Sequence, residues 1–105
     1  MEEAKEKDLA KINSVAAKRR ILRKTYADDI VEFNLTDYYL PKYLESEAFD
    51  SDKEKNINML LERAIYYNSI PIVLEIKNRF PEVDYIPSYY KALSSGREYI
   101  SSILR

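Results

Sequence analysis

Gly96 is the only glycine in a chain of 105 residues. Glycine most readily adopts the positive φ angles that tight two-residue turns require, so a chain with one glycine is poorly suited to an architecture rich in β-hairpins. Hydrophobic residues make up 46% and charged residues 33% of the chain, a balance typical of a folded globular domain. The length suffices for one modest hydrophobic core. We therefore predict a single all-α domain.

Cysteine and histidine are both absent. Their absence excludes disulfides, thiolate nucleophiles, the usual zinc sites and the commonest general base at neutral pH. The carboxylates of residues 28–52 have the spacing of neither an EF-hand loop nor a di-iron bundle, and no base, nucleophile and orienting group can be assembled from the pattern. We predict no catalytic, cofactor or metal site. We also predict a cytoplasmic protein without membrane association, because no disulfide framework and no long apolar segment is present.

Residues 1–45 are predicted to form an N-terminal helical arm and a short helix. Residues 2–34 contain neither proline nor glycine and are rich in helix-forming residues, which predicts one long helix with a break near Thr25–Asp28. We expect this arm to fold as one unit with a second region, residues 57–105.

A short helix is predicted at the end of residues 1–45, and a loop is predicted between the two regions. The short helix is expected to have Asn34 or Thr36 as its N-cap and Pro41 in its first turn. Its apolar side would consist of Tyr38, Leu40, Tyr43 and Leu44. The polar, acidic segment 46–56 is predicted to be a loop.

Two segments of the second region share one helix-turn-helix pattern. Small, turn-forming and apolar residues recur 28 positions later, in the pairs Ala64 and Ala92, Asn68 and Gly96, Ile72 and Ile100, and Ile76 and Leu104. Asparagine and glycine best tolerate the left-handed end of a helix, so Asn68 and Gly96 are each predicted to mark a hairpin corner. Pro71 then lies in the first turn of the next helix, where a missing N–H costs nothing.

These residues resemble the core of the ankyrin repeat. In that family an alanine of the first helix is followed four residues later by glycine, and four residues after that by an Ile-Val pair. Ala64, Asn68, Ile72 and Val73 occupy those places, and "FPEVD" is similar to the family's "GADVN". The resemblance covers residues 59–105 and implies a pair of ankyrin-like helical hairpins. The spacing of 28 residues is shorter than the family's period of about 33, and generic packing of αα-hairpins predicts the same residue pattern.

Charge is unevenly distributed along a chain whose net charge is −1. Residues 1–24 carry eight Lys/Arg and four Asp/Glu, whereas residues 25–52 carry one and eight. Such a basic arm followed by an acidic segment indicates either two different partners or self-association through complementary surfaces.

The segment "KRRILRK", residues 18–24, has five basic residues in seven. On a helix, one arc is predicted to hold Arg19, Arg20, Arg23 and Lys24. Ile21 and Leu22 are expected on the opposite side. This arc could contact the phosphates of a nucleic acid, with an affinity that falls steeply as salt rises. The alternatives are a solvated helix face, or pairing of the arc with the acidic segment of the same chain.

Ten tyrosines are present, six of them in adjacent pairs. Two neighbouring residues of a helix cannot share a face, so some of these rings must lie at the surface. Tyrosine is enriched at the energetic centres of protein interfaces, although packing at the core boundary is an alternative for each single ring. The predicted contact residues are Tyr66, Tyr67, Tyr89 and Tyr90, together with the basic arc.

We predict from these observations a non-catalytic protein-interaction module, acting as an adaptor or as a small inhibitor of a larger protein. A regulator that binds nucleic acid through residues 18–24 is the alternative. The frequent use of lysine, isoleucine, tyrosine and asparagine, whose codons are AT-rich, is compatible with a viral or phage origin.

Overall fold

A computed structural model of the chain describes residues 2–24 and 26–105. Within those two ranges every regular element is an α-helix, so the prediction of an all-α class is confirmed. In chain order the helices are α1 (Glu2–Ala10), α2 (Val15–Arg23), α3 (Ala27–Glu32), α4 (Tyr39–Leu44), α5 (Glu47–Asp50), α6 (Lys53–Tyr67), α7 (Ile70–Arg79), α8 (Ile86–Ser94) and α9 (Glu98–Leu104).

Helices α6 to α9 form two helical hairpins that stack on each other. Helix α6 packs against α7 and α8, and α7 packs against α9. The corners lie where the sequence predicts them, because Asn68 and Gly96 both have left-handed φ angles, of 56° and 73°. Each corner contains the same kind of hydrogen bond. The carbonyl of Ala64 accepts from the amide of Ser69 at 2.8 Å, and the carbonyl of Ala92 accepts from the amide of Arg97 at 2.9 Å. This bond is typical of a Schellman helix end.

The first turn of α7 contains Pro71, as predicted. Ser69 is the N-cap residue of this helix, but its side chain does not cap it. Instead, the buried Ser69 hydroxyl donates to the carbonyl of Val31 at 2.6 Å. The corner of the first hairpin is thereby fixed to the end of α3, which also packs against α6.

The prediction of one long helix over residues 2–34 is wrong, because three short helices occupy this region. Ser14 starts α2 by accepting a hydrogen bond from the amide of Ala17 at 3.2 Å, and an N-cap of this kind separates α2 from α1. The chain is also extended at Lys24 and at Tyr26, which separates α2 from α3. Thr25, where the predicted break begins, lies outside the described residues.

The N-terminus of α4 is capped by a residue distant in sequence, so the predicted caps Asn34 and Thr36 are wrong. The carboxylate of Asp8, on α1, is fully buried and accepts hydrogen bonds from the amides of residues 37–39 at 2.7 to 3.2 Å. Asn34 instead has a left-handed φ of 55° just after α3. A buried carboxylate facing the first amides of a helix satisfies donors that the helix itself leaves unpaired.

The segment 46–56, predicted to be a loop, forms α5 and the start of α6. Ser46 accepts from the amide of Phe49, and Asn56 donates to the carbonyls of Ala48 and Phe49. Phe49 is buried and lies against the rings of Tyr43 and Phe80, at centroid distances of 5.5 and 5.8 Å. The segment is therefore ordered by one buried aromatic ring, which its polar composition conceals.

Candidate functional site

Two of the four predicted contact tyrosines are exposed and two support them. Tyr66 on α6 is 74% exposed and Tyr90 on α8 is 63% exposed, whereas Tyr67 and Tyr89 are partly buried against the core. Each exposed ring meets its neighbour edge to face, at centroid distances of 4.9 and 5.2 Å. An exposed ring held in this way loses little conformational freedom when it binds a partner.

Tyr66 and Tyr67 line an open groove of about 380 Å³ between α6 and α8. Two ion pairs lie along it, Lys91 with Glu62 at 2.8 Å, and Arg63 with Asp28. The hydrogen bond and the charge of Lys91 hold the pKa of the Glu62 carboxyl below its usual value. Burial raises the pKa of the Tyr67 phenol, and the nearby carboxylate of Asp28 adds to this rise.

Arg97 fixes the end of α6 next to this groove. Its guanidinium donates to the carbonyls of Ile65 and Tyr66, both at 2.9 Å. These carbonyls belong to the last turn of α6, where a helix leaves acceptors unpaired; the Ile65 carbonyl also accepts from the amide of Asn68 at 3.3 Å. The backbone beneath Tyr66 is therefore hydrogen-bonded to the second hairpin.

Tyr90 lies outside that groove, on a stripe that the sequence interpretation missed. Ile86, Tyr90 and Leu93 are large apolar residues of α8, and each remains about half exposed or more. Their spacing of four and three residues places them on one side of the helix. We call these three residues the α8 stripe. The spacing of Ile86, Tyr90 and Leu93 in the sequence could have revealed this stripe. In the sequence, however, Tyr90 stands beside Tyr89, and the two are interpreted as a pair.

In the basic segment 18–24, one arginine forms an ion pair within the molecule and the other cations of the predicted arc face solvent. Arg20 donates two hydrogen bonds to the buried carboxylate of Asp29, at 2.7 and 2.9 Å, and these bonds and the charge of Asp29 raise the pKa of the Arg20 guanidinium. Arg19, Arg23 and Lys24 are exposed. Arg20 therefore pairs with the acidic segment of its own chain, which was one of the alternatives derived from the sequence.

The predicted arrangement of apolar residues on α2 is wrong for Leu22. Ile21 is buried, but Leu22 is 56% exposed, and Val15 is 70% exposed. These two residues are seven positions apart and lie on the outer side of α2, between the cations. Adjacent residues of a helix are separated by about 100°, so the burial of Ile21 places Leu22 toward solvent.

A second and larger groove, of about 630 Å³, lies beside the first and is separated from it by the Glu62–Lys91 ion pair. We call it the acidic groove. Its apolar residues are Ile57, Val83 and Pro87. Its charged residues are Glu54, Glu62, Glu82, Asp84, Lys53 and Lys91. No residue of the acidic groove was among the predicted contacts, because its members come from α6, α8 and the connection between α7 and α8.

Comparison with known proteins identifies no relative: no family model matches the chain, and neither a curated protein nor a solved structure matches it. Among residues 2–24 and 26–105, no three acidic side chains converge as metal ligands would. None of the helices in these ranges is both long enough and apolar enough to cross a membrane.

Proposed function

We propose that this protein is a non-catalytic protein-binding module, an adaptor or a small inhibitor of a larger protein, and that it binds through the α8 stripe. The observation that carries the proposal is the exposure of Ile86, Tyr90 and Leu93 along one side of a helix. Apolar residues at such spacing are the usual anchors when a helix enters a hydrophobic groove of a partner. The exposed ring of Tyr66 provides a second contact on the neighbouring helix.

The stripe lies on a helix that is packed against the core. On the inner side of α8, Ala92 is fully buried, and Tyr89 packs against the core beneath Tyr90. Helix α8 also packs against both α6 and α9. A rigid helix loses little entropy on association, so more of the apolar burial contributes to affinity.

Truncation of Tyr90 tests this proposal. Tyrosine at the centre of an interface typically contributes about 2 kcal/mol or more, which corresponds to a loss of affinity of about 30-fold. We expect Tyr90→Ala to weaken capture of the partner from a native lysate by this factor, when the tagged variant and the wild type are compared at equal concentration. The affinity of the purified partner is then measured by calorimetry.

Tyr99→Ala is the matched control. Tyr99 has the same 63% exposure as Tyr90 but lies on α9. The proposal requires that Tyr90→Ala reduces capture while Tyr99→Ala does not. Equal capture by the wild type and by Tyr90→Ala, with the fold intact by circular dichroism, would refute binding through the stripe.

We further propose that the hairpin pair is a degenerate ankyrin-like unit and that the protein acts in the cytoplasm. The equivalent corners at Asn68 and Gly96, and the stacking of α6 on α8 and of α7 on α9, support the first proposal. A chain without cysteine supports the second, since it needs no oxidising compartment.

A nucleic-acid-binding regulator is the second candidate function. It is favoured by the exposure of Arg19, Arg23 and Lys24, none of which pairs with a carboxylate of the described residues. Contact of three or four cations with duplex DNA gives a slope of about −3 in a plot of log affinity against log salt. Absence of binding at low salt, or a slope unchanged in Arg19→Ala/Arg23→Ala, rejects this candidate.

A further inference from the structure

We infer that two copies of this chain associate head to tail, with the outer face of α2 of one copy seated in the acidic groove of the next. The inference rests on two surfaces of the described structure that match in charge and in polarity. It concerns neither Tyr66 nor the α8 stripe, so it is independent of the proposed binding of another protein.

The outer face of α2 is an apolar line bordered by cations. Val15 and Leu22 are 70% and 56% exposed and lie about 10 Å apart along the helix axis. Lys18, Arg19 and Arg23 are exposed on either side of this line. Large exposed apolar residues rimmed by charges are typical of an interaction surface.

This face is oriented by the inner side of α2. Ala17 and Ile21 are buried, and Arg20 is bonded to the buried carboxylate of Asp29. The helix therefore cannot turn its apolar line inward without breaking that pair. No residue of α2 contributes to the lining of the acidic groove, so the groove of the same molecule is not filled by α2.

The acidic groove has the complementary composition. Its floor contains Ile57 and Val83, and its rim carries four carboxylates against two lysines. Both lysines are already engaged, because Lys91 pairs with Glu62 at 2.8 Å and Lys53 lies 4.8 Å from the centre of the Phe80 ring.

The free charge of the groove is consequently negative. Glu54 and Glu82 pair with no cation in the described part of the chain. Asp84 likewise faces solvent, and neither it nor the three cations of the α2 face forms an ion pair among the described residues. Bringing the two surfaces together would pair these charges and bury Val15 and Leu22 against the apolar floor.

The geometry of this contact is heterologous. Each copy uses a helix on one side and a groove on the other, so a dimer retains one free helix face and one free groove. Open chains therefore grow with protein concentration unless a ring closes. Exposed charges are screened by salt, so high salt should shorten the chains.

Light scattering on the purified full chain tests the inference. For the wild type at low salt, we expect an average mass that rises above the monomer mass of 12.4 kDa as the concentration increases from micromolar to millimolar. High salt should return the mass to that of the monomer. A wild type that stays monomeric over this range at low salt would overturn the inference.

Two variants identify the contact. Val15→Ser/Leu22→Ser removes the apolar line of α2, and Glu54→Lys/Glu82→Lys reverses the free charge of the acidic groove. Each variant alone should be monomeric. An equimolar mixture should form a complex of twice the monomer mass, because the intact α2 face of the groove variant binds the intact groove of the α2 variant. The complex should grow no further, because its two remaining surfaces are the altered ones.

The control variants carry the same types of substitution on exposed residues outside the two proposed surfaces. Glu3→Lys/Glu6→Lys makes the same charge change on exposed residues of α1, and Leu74→Ser removes an exposed apolar side chain of α7. Both should associate as the wild type does. Association that persists in either site variant, a mixture that remains monomeric, or binding of α2 to anionic vesicles or DNA without self-association would each overturn the inference.

Discussion

Replacing Asp8 by alanine should destabilise the fold more than the loss of any other charged residue of α1. The carboxylate is fully buried, and its oxygens accept hydrogen bonds from the amides of Asp37, Tyr38 and Tyr39 at 3.2, 2.7 and 2.9 Å. It also accepts from the ammonium of Lys11 at 3.0 Å. Alanine would leave the amides of residues 37–39, at the start of α4, without this acceptor.

The expected cost follows from these bonds. Leaving one buried donor unsatisfied costs about 1 to 3 kcal/mol. Lys11 adds little to this cost, because it is one third exposed and keeps its bond to the Asp37 carboxylate at 2.9 Å. Three amides lose one shared acceptor, and local rearrangement recovers part of the loss, so we expect about 3 to 5 kcal/mol in total. A domain of this size has a free energy of unfolding of about 5 to 15 kcal/mol. The melting temperature should therefore fall by about 15 °C or more.

Lys11 is the partner whose removal should matter less. Burial lowers the pKa of the Lys11 ammonium, but hydrogen bonds to Asp37 and Asp8 outweigh this effect and hold the pKa above its usual value. The side chain is still one third exposed, so Lys11→Met should cost about 1 kcal/mol or less. If the two residues act as one unit, the double variant should cost less than the sum of the single variants.

Urea denaturation followed by circular dichroism measures these costs. Asp8→Asn keeps the volume but only one acceptor oxygen, and should lie between the wild type and Asp8→Ala. Glu6→Ala is the control, because Glu6 is an exposed acid of the same helix and should change the free energy of unfolding by no more than about 0.5 kcal/mol. A value for Asp8→Ala as small as that of Glu6→Ala would refute the assignment of Asp8 as the cap of α4.

Three further predictions concern the body of the fold. Burial raises the pKa of the Tyr85 phenol to about 12, whereas the pKa of tyrosine in an unfolded chain is about 10. This difference contributes about 2 to 3 kcal/mol to the free energy of unfolding; the contribution is present below pH 10 and is lost as pH rises through about 12. Tyr85→Phe should flatten this alkaline loss in urea denaturation, and should cost about 1 kcal/mol at neutral pH because the bond to the Phe80 carbonyl disappears; an unchanged alkaline profile would contradict this. Ser69→Ala should cost about 1 kcal/mol, because the Val31 carbonyl loses the short bond from the Ser69 hydroxyl and keeps only the longer bond from the Asn34 amide at 3.3 Å; an effect near zero in the same measurement would show that the hydroxyl bond does not stabilise the corner. Gly96→Ala should cost about 1 kcal/mol through backbone strain alone, since nothing lies within 4 Å of the added carbon, and Gly96→Asn should cost less; equal stability of all three proteins would rule out a required left-handed corner.

The hairpin corners could be predicted from the sequence because their interactions are local. A left-handed residue, the alanine carbonyl that accepts nearby and the proline of the next helix all lie within eight residues of Ala64. Residue type alone identifies such positions, because asparagine and glycine tolerate the conformation and proline tolerates a missing donor. The repeat of the pattern at Gly96 then located the second hairpin.

The N-terminal region could not be predicted in the same way, because distant residues order it. Asp8 meets Tyr39 across 31 positions, and in the sequence it is one charge among several on a helix without an apolar face. Ser14 was not predicted as a cap, although a serine that precedes a helix-forming run is a common start signal. The absence of proline and glycine from residues 2–34 favoured one long helix, but this absence permits a helix without requiring one.

The α8 stripe and the grooves show a different limit. Residue spacing predicts which residues share one side of a helix, but the neighbouring elements decide whether that side is covered. Tyr89 and Tyr90 are residues of the same type at adjacent positions. Only Tyr90 is exposed, because α8 directs the ring of Tyr89 toward the core.

The basic segment illustrates how one residue can determine what its neighbours present. Arg20 is bonded to a buried carboxylate, so its charge orients α2 and is not offered to a partner. Because that bond and the burial of Ile21 fix the rotation of the helix, Val15 and Leu22 must face solvent between the remaining cations. A segment that looks in the sequence like a uniform phosphate-binding arc is therefore an amphipathic surface. Such a surface suits a groove that is both acidic and apolar better than it suits a nucleic-acid backbone, which offers charge alone.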